Sequence, residues 1–117
     1  MPAVTLTNRL RRWYFNQLAA WCVLFRRRDY ALEFYQRMLK INPDDTLALA
    51  SIGYQYAHLG RKREALAMFD RVIALTPADV EAQFNGGFLR QELNDHDGAI
   101  AAFKAALAVN PDHDRAL

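Results

Sequence analysis

At 117 residues, with 52% apolar and 24% charged residues, the chain fits one packed domain and carries no compositional mark of disorder. A net charge of +2 is too small to mark a nucleic-acid binder, and a single cysteine, Cys22, excludes an internal disulfide framework. The charge is uneven: residues 1–45 hold eight Lys/Arg against four Asp/Glu, and residues 46–117 hold seven against nine. The basic end suits an acidic partner or an anionic membrane surface.

Residues 1–7 read as a flexible tail, with Thr7 placed to cap a first helix near 8–25. Within it, Trp13 to Phe25 form a mostly apolar run of 13 residues between Arg11-Arg12 and Arg26-Arg27-Arg28. The run imitates the core of a secretion signal, but it ends in three arginines rather than a small-residue cleavage site, so it is read as part of the mature fold. It is also shorter than the roughly 18 apolar residues of a spanning helix. The expected location is cytoplasmic, with peripheral membrane contact as the alternative.

Further along, polar–proline pairs recur: Asn42-Pro43, Thr76-Pro77 and Asn110-Pro111. Each is read as an N-cap followed by a proline in the first helical position. In the second unit Leu49, Ile52, Gly53 and Tyr56 fall on one helical face, and Leu59-Gly60 ends that helix. A second helix carries Ala65, Leu66, Phe69, Val72 and Ile73 on one face, so the unit is a helix–turn–helix hairpin. Gly53 and Ala65 are small where the two helices must approach. The third unit repeats this with Gly87, Ala99, Phe103, Ala106 and Leu107, turning at Asn94-Asp95. The first holds the phase with Leu18, Ala19, Ala31, Tyr35 and Met38, but Arg26 replaces the turn glycine. Prolines 43, 77 and 111, alanines 31, 65 and 99, and aromatics Tyr35, Phe69 and Phe103 all keep one interval of 34 residues. A fixed period of this length marks a stacked helical repeat.

This framework resembles the tetratricopeptide repeat. The matching residues are Leu49, Ile52, Gly53, Tyr56, Gly60, Ala65, Phe69 and Pro77 in the second unit. Gly87, Ala99, Phe103, Ala106 and Pro111 match in the third, and Leu18, Ala19, Ala31, Tyr35 and Pro43 in the first. The resemblance covers roughly residues 12–113. Gln83 and Arg90 depart from it, standing where the family usually has large apolar or aromatic residues. The resemblance implies an all-α, right-handed solenoid of three antiparallel hairpins over residues 8–117, with repeats near 12–45, 46–79 and 80–113. A further helix starts at 114–117.

In proteins of this family the first helix of each hairpin lines a concave groove that holds a partner segment. The resemblance therefore implies a non-catalytic adaptor or scaffold. Leu47, Ala50, Tyr54 and Ala57 form a second apolar stripe on helix 46–59, and Phe84 and Phe88 form an i, i+4 pair on helix 79–93. Ser51, His58, Glu81, Asn85 and Gln91 lie beside them as a polar margin. The family's basic clamp for a partner's C-terminal carboxylates is absent, since Asn16, Ala20, Ser51, Glu81 and Asn85 stand at its positions. An apolar or helical protein or peptide partner fits better.

The alternative site is the basic first helix. Arg11, Arg12, Trp13, Arg26, Arg27 and Arg28, with Trp21 and Phe25, suit anionic lipid or an acidic partner. Against this, Phe15, Leu18, Trp21 and Cys22 can be its hairpin face. The last helix, near 96–109, bears Ala101, Ala102, Ala105 and Leu107 with no evident capping helix, so self-association there is expected. No catalytic residue, metal site or cofactor is expected. His58, His96 and His113 are scattered, and Asp95-His96-Asp97-Gly98 lacks the distal glutamate of a calcium loop.

Overall fold

The structure, a computed structural model, describes residues 5–109. Among these residues every regular element is a helix. They are α1 (Leu6–Leu24), α2 (Arg28–Ile41), α3 (Thr46–His58), α4 (Lys62–Leu75), α5 (Val80–Glu92) and α6 (His96–Val109). Each packs on its successor, so α1–α2, α3–α4 and α5–α6 are hairpins stacked through α2–α3 and α4–α5. This is the all-α helical repeat that the 34-residue period predicts.

Each hairpin is built on a small residue beneath an aromatic ring. A Cβ at Gly53 would come within 2.9 Å of the Phe69 ring, and one at Gly87 within 2.6 Å of the Phe103 ring. In the first hairpin Ala19 and Tyr35 share the same core cluster. Leu49, Ile52, Val72 and Met38 are buried around these contacts. Each such side chain stabilises the fold by roughly 1.5–3 kcal/mol.

The turns repeat as well. Arg26, Gly60 and Asn94, spaced by the period, all take positive φ, at 60°, 78° and 66°. The expected glycine position is thus occupied by an arginine and an asparagine in the same left-handed conformation.

The caps differ from expectation. Thr5, not Thr7, caps α1, its side chain accepting from Asn8 N at 3.1 Å. Asn42 and Thr76 do not open helices. They end α2 and α4, donating back to Met38 and Val72 carbonyls. Pro43 has no N–H to extend α2 and forces its predecessor into extended backbone. The helix starts belong to Asp45 and Asp79, which accept from Ala48 N at 3.3 Å and Ala82 N at 3.1 Å. The pair Asn110-Pro111 and the helix start at 114–117 lie outside the described residues.

In the third unit the two departures find partners. Gln83 reaches the Pro77 carbonyl at 3.5 Å. Arg90 bridges to Asp70 on α4 at 3.1 Å and to Asp95 in the turn at 3.7 Å. Together Gln83 and Arg90 line an open pocket of about 340 Å³ with Asp70, Ile73, Gly98, Ala101 and Ala102.

Candidate functional site

On α3, Leu47, Ser51, Tyr54 and His58 recur at i, i+4, i+7 and i+11, which places them on one face. Glu81, Asn85, Phe88 and Glu92 hold the same register on α5, and Trp13, Gln17, Ala20 and Leu24 hold it on α1. Leu47, Tyr54, His58, Glu81 and Phe88 are exposed, and Ser51 and Asn85 are half-buried.

Three contacts fix the centre of this surface. The Tyr54 ring stands edge-on to Phe69 at 5.4 Å, and its hydroxyl accepts a hydrogen bond from the Asn85 side chain at 2.9 Å. Phe88 stands edge-on to Phe103 at 5.1 Å. Tyr54 and Phe88 are thus held rigidly by their hairpins while still 41% and 43% exposed. Between them lies a cleft of about 170 Å³ lined by Tyr54, Ala57, Phe69, Asn85, Phe88, Leu89 and Glu92. Its size suits one apolar side chain. Glu92 pairs with Lys62 at 2.9 Å at the cleft's edge.

Phe84 is a correction. It is only 5% exposed and packs on Phe103 at 5.6 Å and on Phe88 at 6.4 Å. It supports Phe88 from within and is not part of the exposed groove. Gln91 is exposed, but it shares the flank of Phe84 rather than the groove face. The sequence reading missed Leu89 and Glu92. Glu92 lies one period beyond His58, so the repeat register holds the signal that places it.

The basic end also divides. Arg12 is committed to Asp45, Nε and Nη2 reaching its carboxylate at 2.5 and 3.1 Å. Hydrogen bonding to Asp45 raises the Arg12 pKa above its ordinary value, burial opposing in part. Arg28 donates to Gln55 at 2.7 Å. These two arginines join the first hairpin to α3 and are only partly exposed. Arg11, Arg26 and Arg27 are exposed, and Arg27 lies over the Tyr30 ring at 4.5 Å.

Trp21 is not on the hairpin face. Phe15, Leu18 and Cys22 are half-buried, but Trp21 is 57% exposed and stacks on Phe25 at 5.8 Å. At the other end α6 exposes Ile100, Ala101 and Val109. Among the described residues no three His, Cys, Asp or Glu side chains converge as a metal site, and no helix is long and apolar enough to cross a membrane.

The family model of the tetratricopeptide repeat matches residues 47–79 and 80–113. The chain belongs to the tetratricopeptide repeat family. Its first hairpin lies outside the matched segments but carries the same inner contacts and the same turn geometry. Solved tetratricopeptide structures share the fold. MamA superposes with a TM-score of 0.82 at 19% identity, covering 89% of this chain and 61% of its own. YrrB, described as a TPR protein with an unusual peptide-binding site, gives 0.76 at 28% identity, covering 85% of this chain and 51% of its own. The TPR domain of Arabidopsis OM64 gives 0.81 at 18% identity, covering 90% and 87%. The chain therefore spans 61% of MamA's solved length and 51% of YrrB's. No curated protein matches the sequence.

Proposed function

We propose that this chain is a non-catalytic interaction module that holds an apolar or helical segment of a partner protein against α3 and α5. The observation that carries this reading is the cleft between Tyr54 and Phe88. Both rings are pre-positioned, so little side-chain entropy is lost when a partner side chain enters. Rigid aromatic anchors of this kind are where binding energy concentrates. Leu47 and Ser51 extend the surface along α3. No Lys or Arg stands at the positions of the family's carboxylate clamp, which disfavours a partner's C-terminal carboxylate and favours an apolar anchor. The peptide-binding site of YrrB, at 28% identity, supports a peptide ligand for this fold.

The test is selection from a displayed library of random peptides. Selected sequences are expected to share an apolar anchor and to bind with either a free or an amidated C-terminus. Tyr54→Ala and Phe88→Ala are each expected to weaken the selected peptide by about tenfold or more with helicity unchanged. Selection of acidic C-terminal tails, or full binding by both variants, would overturn the reading.

A further inference from the structure

The outer face of α1 is apolar along its whole length. Leu6, Leu10, Trp13, Tyr14, Trp21 and Leu24 follow a helical spacing, and Phe25 continues it past the helix end. Their exposures run from 55% at Tyr14 to 71% at Leu6. Among the described residues no other helix has a continuous face of this kind. Thr7 and Gln17 are the polar residues within it.

The repeat register shows that part of this face is not shaped for another hairpin. One period beyond Tyr14 stand Ala48 and Ala82, at 0% and 3% exposure, each packed into the core of the hairpin before it. One period beyond Trp21 stand Gln55 and Leu89, at 5% and 6%. The interior junctions close because the first of these positions is a methyl group. Tyr14 puts a phenol there and Trp21 adds an indole, so a helix stacking in the usual way would be held off. The large side chains suit a soft, deformable layer instead.

The charge within α1 and the turn that follows it is of one sign. Residues 1–28 contain six arginines and no Asp or Glu. With Arg12 and Arg28 turned inward to Asp45 and Gln55, the exposed ones are Arg9, Arg11, Arg26 and Arg27. On the helical wheel Arg9 and Arg11 fall on opposite borders of the apolar stripe. Arg26 and Arg27 close its C-terminal end. Amphipathic aromatics between cationic borders are what a helix lying in a headgroup layer requires.

We propose that α1 docks lengthwise on an anionic lipid bilayer. Its Trp, Tyr, Phe and Leu side chains enter the boundary between headgroups and acyl chains. Its exposed arginines meet lipid phosphates. This goes beyond the peptide groove: Trp13, Gln17 and Leu24 share the groove register on α1, but no α1 residue lines the cleft at Tyr54 and Phe88.

The chain's two tryptophans, Trp13 and Trp21, both lie on this face and report on it directly. Vesicles of phosphatidylcholine with about one-third phosphatidylserine are expected to bind the protein, shift its emission to the blue and shield it from aqueous quenchers. Pure phosphatidylcholine vesicles are expected to bind at least about tenfold more weakly. Replacing Arg11, Arg26 and Arg27 by Gln, or Tyr14, Trp21 and Phe25 by Ser, is expected to abolish flotation with the anionic vesicles. Circular dichroism checks that both variants stay helical, and the Gln set retains both tryptophans as reporters. Tyr54→Ala and Phe88→Ala are expected to float as wild type. Absence of flotation by the wild-type protein overturns the proposal, as does equal binding to both lipids or full binding by the Ser variant. So does a dimer in lipid-free solution that the Ser substitutions dissolve, because the face would then belong to a second copy.

Discussion

Replacing Arg26 by glycine is expected to stabilise the protein. Arg26 has a φ of 60°, in the left-handed region where an L side chain meets its own backbone. That conformation costs roughly 1–2 kcal/mol for an ordinary residue. Glycine escapes the cost but loses more freedom on folding, by roughly 0.4–1 kcal/mol. The Arg26 side chain is exposed and makes no hydrogen bond or ion pair among the described residues, so its removal forfeits nothing. The backbone bond from Arg26 N to the Val23 carbonyl, at 3.0 Å, is kept. The difference is a gain of about 1 kcal/mol, or about 4 °C in Tm for a domain of this size. The same turn in the second hairpin provides the control. At Gly60 an added Cβ would meet nothing within 4 Å, so Gly60→Ala isolates the backbone term and is expected to lose about 1 kcal/mol. Asn94→Gly is expected to gain only a fraction of the Arg26 effect, because asparagine tolerates this geometry. Urea and thermal unfolding followed by circular dichroism at 222 nm measure all three. Equal signs for Arg26→Gly and Gly60→Ala would refute the reasoning.

Two further substitutions test the inner framework. Gly87→Ala gains about 1 kcal/mol of helix propensity but drives a methyl to 2.6 Å from a ring that Phe84 and Phe88 hold in place. Overpacking of roughly 1–3 kcal/mol outweighs the gain, so a lower urea midpoint is expected and a higher one would show that the ring yields freely. Asp79→Ala removes a helix cap and is expected to cost about 1 kcal/mol. Asp45→Ala removes the equivalent cap and also strands Arg12, whose partial exposure limits the added loss, so about 2 kcal/mol is expected in the same assay. Equal costs would mean that the Arg12 pair contributes nothing.

The features legible in the sequence are those set by local spacing. The glycine–aromatic pairs and the turn positions follow from the helical period combined with the 34-residue interval. What escaped it depends on direction or distance. Asn42-Pro43 has the composition of a helix start, and only the backbone shows that Asn42 closes α2 while Asp45, three residues on, opens α3. Phe84 and Phe88 look like one stripe. Both rings touch Phe103, but the turn of the helix between them buries Phe84 and leaves Phe88 half in solvent. Because the stretch from Leu18 to Phe25 is apolar all round, periodicity alone does not separate its inner face from its outer one, and Trp21 fits either side. The Arg12–Asp45 and Arg28–Gln55 pairs join residues 33 and 27 apart, and no local pattern announces them.

Internal repetition makes each hairpin a reference for the others, and Arg90 shows what that comparison yields. As a departure from the family pattern it points to a poorly packed hairpin. One period earlier stands Tyr56, and the residue that follows the left-handed turn changes with it, from Arg61 to Asp95. In the second hairpin Arg61 lies over the Tyr56 ring at 4.6 Å, and in the third Arg90 meets Asp95 at 3.7 Å. The same two positions touch, with the cation moved from one to the other. If this exchange is what keeps the third hairpin closed, Arg90→Tyr and Asp95→Arg should each be harmful alone and partly rescue one another. Asp95→Arg alone sets two arginines together and loses the cap that Asp95 gives Gly98 N at 3.0 Å. Arg90→Tyr alone leaves Asp70 without its bridge. The lost cap and the lost Asp70 bridge persist in the double replacement and cancel in a double-mutant cycle, which leaves the new cation–ring contact, the relief of the arginine–arginine repulsion and the Arg90–Asp95 pair that each single replacement already breaks. The double replacement is expected to be about 1 kcal/mol more stable than the sum of the singles. Strict additivity would mean that the two positions are neighbours without being partners.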